Sequence, residues 1–178
     1  VTAASTVTGV AATTSAAGVV PVVTAASTVT GVAATTSAAG VVPVVAAVNF
    51  TPMRMNKSGT FAIPSSTLTL VTGWTADAGY PGTVITSNAL VAAESATKTV
   101  TANMAYINNI NGFTVTCAIF KNSTQIGSST NTVANGTVVV TITSHTFASG
   151  DTFSMKASNS AGAFGTVSSG TTTFLKFE

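Results

Sequence analysis

Charge is what this sequence has least of. Only 6% of its 178 residues are Asp, Glu, Lys or Arg, against about a quarter in an ordinary soluble chain. The first charged residue is Arg54. The cations Arg54, Lys57, Lys98, Lys121, Lys156 and Lys176 are scattered, which argues against nucleic acid as the main partner, because phosphate neutralisation needs grouped Lys and Arg. Cysteine occurs once, as Cys117 in the alternating segment FTVTCAIF. A disulfide within the chain is therefore excluded, and the thiol reads as a small buried hydrophobe. One histidine, His145, far from that cysteine in sequence, supplies no zinc site. No apolar run reaches the roughly 18 residues of a membrane span; the longest in the repeats, 16–23, is interrupted by Pro21. No membrane insertion is expected, and no Gly-rich phosphate loop appears.

What replaces charge is hydroxyl and amide. Ser and Thr supply 54 residues and Asn eleven, a polar surface that hydrates without ionising. Four Asn-x-Ser/Thr sequons, at Asn49, Asn56, Asn122 and Asn135, match the about three that this composition gives by chance and carry no information.

The chain opens with a duplication. Residues 1–22 read VTAASTVTGVAATTSAAGVVPV, and residues 23–44 repeat the string without a substitution. Each unit contains a weaker nine-residue echo, VTAASTVTG then VAATTSAAG, followed by VVPV. Val and Thr are β-branched, and Gly and Pro recur in every unit, so extended structure is favoured over a long helix. An even period keeps a strand's two faces in phase from unit to unit, as a shared β-fibre requires. Such small side chains bury too little apolar surface for one chain to order alone, which predicts either association with sister chains or a flexible linker. Residues 1–48 are thus read as a low-complexity stalk and 49–178 as a separate head. Because Val1 already lies in repeat register, more chain is expected upstream.

From Asn49 the pattern becomes short alternating runs punctuated by Gly, Pro, Asn and Ser, the mark of a sandwich or barrel. Strands are predicted at 60–63, 67–72, 89–92, 98–107, 113–121, 137–143, 152–157 and 171–177. One face collects Val100, Ala102, Met104 and Tyr106, and another Phe113, Val115, Cys117 and Ile119. Val138, Val140 and Ile142 repeat the pattern, as do Phe153, Met155 and Ala157 after the turn at Ser149-Gly150-Asp151.

A resemblance then becomes visible, covering roughly 54–178. It is carried by RMNKSGTFAIPSSTLTLVTGW (54–74), ASGDTFSMKASN (148–159) and TTTFLKFE (171–178). These resemble the first strands, the Gly-Asp-led penultimate strand and the closing Phe-containing strand of the complement-one-q and tumour-necrosis-factor-like superfamily. Within it, the Thr-, Asn- and Gly-rich wording resembles domains that end the minor tail proteins and fibres of phages of actinobacteria. The resemblance implies an all-β, antiparallel jelly-roll head of about eight to ten strands, assembled as a homotrimer on an extended repetitive stalk. It further implies a place in the virion tail, other tail proteins as partners, and a bacterial surface glycan or protein as receptor. The middle section, 80–111, matches only in strand rhythm, and the acidic loops that bind calcium in some relatives are missing, so no cofactor is expected.

Candidate chemistry is thin. His145, Asp151 and the many serines permit a triad to be written down, but nothing at that spacing holds a base against a nucleophile. The carboxylates are Asp77, Glu94, Asp151 and the terminal Glu178, and both Asp read as turn residues rather than a glycosidase pair. The expectation is that the protein is not an enzyme. Recognition is better supported: Trp74, Asp77 and Tyr80 fall in the loop 73–83, where a sugar could stack on a ring, with core or interface packing as the competing role for the aromatics. Two functions remain at this level, a trimeric phage tail-fibre component that contacts the host, and a secreted or surface-displayed lectin-like module.

Overall fold

The computed structural model describes residues 50–107, 112–160 and 165–178. The duplicated segment and the expected stalk lie outside the described residues. Residues Phe50–Glu178 form one compact unit.

The described residues form thirteen strands: β1 Met53–Lys57, β2 Phe61–Ile63, β3 Thr69–Leu70, β4 Trp74–Ala76, β5 Val84–Thr86, β6 Ala89–Val91, β7 Ala96–Ile107, β8 Val115–Lys121, β9 Thr124–Asn131, β10 Asn135–Phe147, β11 Thr152–Asn159, β12 Gly165–Val167 and β13 Gly170–Phe177. All eight expected strands are present with shifted ends. The five additional ones, β1, β4, β5, β9 and β12, are short or poor in large apolar side chains. The strand expected from Phe113 starts at Val115, leaving Phe113 half-buried outside the ladder.

The strands make two antiparallel sheets. One holds seven strands in the order β2-β12-β7-β13-β1-β4, with β10 on the other flank of β7; the second holds β5-β6-β11-β8-β9, with β3 beside β11. Alternation sends Met53 and Met55, Val100 to Tyr106 in steps of two, Val138, Val140, Leu175 and Phe177 inward from the first sheet. Leu90, Val115, Cys117, Ile119, Phe153, Met155 and Ala157 meet them from the second. Phe153 is the hub, with ring centroids 4.9 Å from Phe177 and 5.5 Å from Phe147. Burial pushes the Cys117 thiol up to about 12, so it stays protonated and unreactive.

Two features fix the ends of the sandwich. The hairpins β5–β6 and β8–β9 turn through Ser87-Asn88 and Asn122-Ser123, with φ of 51° and 64°, and 46° and 75°. Two successive left-handed residues match the right-handed twist of paired strands, usually at the expense of a glycine that neither turn has. The second feature is Lys57, buried at the end of β1, whose ammonium donates to the carbonyls of Ser58 and Gly59 at 2.7 and 2.8 Å and to Gly73 at 3.4 Å.

Candidate functional site

The loop singled out by sequence does not assemble into one site. Trp74 opens β4 with its ring in the core, and its indole N–H donates to the Val71 carbonyl at 2.7 Å. It is a core residue rather than a stacking platform, the competing role that aromatics near glycines often fill. Asp77 lies just beyond β4. Its carboxylate accepts from Asn56 Nδ2 and from the Gly79 N–H, both at 2.8 Å, and pairs with Arg54 Nε at 3.3 Å. These hydrogen bonds, Asn56 foremost, hold its pKa below the ordinary carboxylate value. Tyr80 is half-exposed and closes a turn, its N–H donating to the Asp77 carbonyl at 2.9 Å. Of the loop's two aromatics, only Tyr80 offers its ring to solvent.

The other titratable groups are also committed. Asp151 accepts from Lys121 at 2.9 Å, from the Ala148 N–H at 2.8 Å and from Asn122. Led by Lys121, these hold its pKa at about 2. His145 sits two residues before the end of β10, half-buried, with its ring edge-on to Phe153 at 5.9 Å. Burial lowers its pKa, and Nε2 is buried without a hydrogen-bond partner among the described residues. Asp151 therefore serves its turn and Lys121, and among the described residues no serine completes a relay with His145. Glu94 accepts from the Thr51 N–H at 2.7 Å. Among the described residues no three His, Cys, Asp or Glu gather where a metal could sit.

The more distinctive surface is the outward face of the seven-stranded sheet, which no single motif announces. Pairing puts Asn56, Phe174, Asn103 and Val139 in one row across β1, β13, β7 and β10, and Arg54, Lys176, Thr101 and Thr141 in the next. Phe174 is half-buried under the Arg54 guanidinium, 4.2 Å from its ring centroid. Val139 and Ile107 are exposed, at 51% and 48%. Asn103 Oδ1, at the centre, is shielded from water without a hydrogen-bond partner among the described residues, an arrangement that ordinarily costs about 1–3 kcal/mol. The cations bordering this face are neutralised within the chain, Arg54 by Asp77 and Lys176 by Glu178. Beside it, β9 and β10, the edge strands of their sheets, meet along a groove of about 530 Å³ lined by Ile126, Gly127, Val139 and Ile142. Gly127 permits that approach, since a Cβ there would lie 3.0 Å from Ile142 Cδ1.

No family model and no curated protein matches the sequence. Among solved structures, the chain is similar to the Eiger TNF of S. frugiperda, with a TM-score of 0.57 over 72% of this chain and 90% of that one, at 9% identity. The fold is that of a tumour-necrosis-factor-like jelly roll. Two antiparallel sheets with the last strand, β13, between β1 and β7 meet that description, in line with the resemblance read from residues 54–178. At this identity the likeness concerns fold alone.

Proposed function

We propose that the chain is a structural and attachment component, a homotrimeric head on a repetitive shaft that works as a phage tail-fibre or minor tail protein at the host surface. The observation that carries the assembly is the outward face of the seven-stranded sheet. Its centre is uncharged and partly apolar, and it leaves Val139 and Ile107 exposed to solvent. A lone monomer rarely leaves such a face bare, and a second copy covers it without desolvating an unpaired charge. Three-fold packing is compatible with this geometry, because the sheet face and the β9–β10 edge are different surfaces, and head-to-tail contact between different surfaces closes into a ring when the rotation between copies divides a full turn evenly.

The viral setting is supported by composition and resemblance: an exact duplication without charge, a Thr- and Asn-rich head, and strand wording like that of fibre-terminal domains. Binding rather than catalysis is supported by carboxylates that all serve turns, ion pairs or backbone groups. Two measurements test the reading. Light scattering of the purified chain should give three times 17.5 kDa, and a stable monomer at micromolar concentration overturns the assembly. Fluorescently labelled chain should adhere saturably to intact actinobacterial cells of a susceptible strain, and no adhesion to any such strain overturns the attachment role.

A further inference from the structure

The six-stranded sheet is interrupted along one flank of β11. Lys156 and Ala157 pair with β3, whereas Thr152 and Phe153 pair with β6. Between them Ser154 has no ladder partner on that side, and the last tie to the departing chain is the Val71 N–H donating to the Met155 carbonyl at 2.9 Å. A depression of about 430 Å³ opens outward over this gap, rimmed by Thr86, Ser87, Ser123, Thr152, Ser154 and Lys156. Leu70 and Ala89 supply its apolar part.

Both left-handed hairpin turns end at this notch, and each is anchored by its asparagine. Asn88 Oδ1 accepts from the Gly73 N–H at 2.9 Å. Asn122 Oδ1 accepts from the Thr152 N–H at 2.8 Å and from its hydroxyl at 3.1 Å. The serine of each turn is left at the rim.

The hydroxyls of Thr86, Ser87, Ser123 and Ser154 make no hydrogen bond among the described residues. Lys156 has its ammonium 3.9 Å above the Phe120 ring, and it has no anionic partner there. The carboxylates Asp77, Asp151 and Glu178 serve Arg54, Lys121 and Lys176, and Glu94 serves the Thr51 N–H. The notch thus offers free donor-acceptor hydroxyls, a small apolar floor and one uncompensated cation.

We propose that this notch binds a saccharide unit carrying one carboxylate. Serine and threonine hydroxyls both donate and accept, which suits the same dual character of ring hydroxyls. Leu70 and Ala89 meet the C–H face, and Lys156 takes the carboxylate as a charge-assisted hydrogen bond. The volume falls in the range of small-ligand sites, about 300–1,000 Å³. Without an aromatic platform each site binds weakly, on the order of millimolar, and three heads on one shaft multiply that through avidity. The proposal rests on the attachment reading for where the sugar is met.

The test is a solution NMR titration of the full chain with sodium glucuronate, glucose and sodium acetate as separate probes. Glucuronate should saturate with shifts centred on Ser87, Ser123, Ser154 and Lys156, glucose should bind at least about tenfold more weakly, and acetate should not saturate. Lys156→Gln should reduce glucuronate to the level of glucose, and Ser154→Tyr, which fills the notch from an outward-facing strand position, should abolish both. The proposal is overturned if glucuronate binds no tighter than glucose, if its shifts centre elsewhere, or if Lys156→Gln changes nothing. Failure here with continued adhesion of labelled chain to cells sinks the saccharide site alone. Binding at the notch without adhesion supports the site and removes the attachment reading.

Discussion

Replacing Val139 by glutamate tests the proposed assembly at its most exposed apolar point. The neighbours of Val139 on β10, Val138 and Val140, are 1% and 4% exposed, whereas Val139 is 51% exposed and points away from the core. In a monomer the change should therefore cost no more than about 0.5 kcal/mol. In a trimer packed through this face the new carboxylate is desolvated next to Asn103, with only Thr137 and Thr141 flanking it on its own strand face. An unpaired buried charge costs about 3–5 kcal/mol. Three copies bring the penalty to on the order of 10 kcal/mol per trimer, roughly seven decades in the assembly constant. Size-exclusion chromatography with light scattering at about 10 µM should then report a 17.5 kDa species, with the β-sheet circular dichroism spectrum intact. The size-matched Val139→Thr should remain trimeric. A glutamate variant that elutes at the wild-type trimer mass would refute the use of this face.

Three further outcomes follow from local geometry. Gly73→Ala puts a Cβ 2.7 Å from the Ser58 carbonyl oxygen and 3.0 Å from Lys57 Nζ at φ +77°, so it should lose about 3 kcal/mol and lower the Tm by on the order of 10 °C in calorimetry; a change within 2 °C, on the order of 0.5 kcal/mol, contradicts the clamp. Ser144→Gly, at φ 52° beside the register shift in β10, should raise stability by about 0.5–1 kcal/mol in urea unfolding, and a loss would show that the side chain is needed there. The folded-state pKa of Asp151, about 2 against an ordinary 3.8, means that its stabilising contribution is complete above about pH 4 and is lost as pH falls toward 2. Asp151→Asn should therefore lower the Tm at pH 7 and flatten its decline between pH 4 and pH 2; an unchanged acid slope counts against that ion pair.

Much of the fold was legible because a sandwich core writes itself in steps of two. Val100, Ala102, Met104 and Tyr106 alternate with Thr101, Asn103 and Ala105, and every member of the first set is buried. Where alternation is weak, the strand disappears from the sequence. β9 reads TQIGSSTN, with Ile126 its only large apolar side chain, and its place is set by pairing with β8 across the Asn122-Ser123 turn. That two-residue turn was the available signal. β1 alternates Met53 and Met55 with Arg54 and Asn56, a pattern obscured by its position just before a Gly-containing loop. Trp74 was ambiguous because a lone aromatic beside glycine can face either way. The decision comes from pairing of β4 with β1 and from the Val71 carbonyl that receives the indole. The sheet face and the notch were illegible for a different reason. Each draws on at least four separate chain segments, which only strand register brings together.

The internal pairing of Arg54 with Asp77 and of Lys176 with Glu178 also has a kinetic side. Oppositely charged surfaces guide partners together at up to about 10⁸–10⁹ M⁻¹s⁻¹, whereas unsteered docking runs at about 10⁵–10⁶ M⁻¹s⁻¹. In the proposed trimer, heads whose contact face carries no net field would search for one another at the slower pace, and dissolved salt would hardly change it. If the chains of that proposed trimer are joined ahead of the heads, the local concentration rises to the millimolar range, where even an unsteered encounter is complete within milliseconds. In such a design the order of events is set by connectivity, with the joined chains meeting first and the heads closing afterwards.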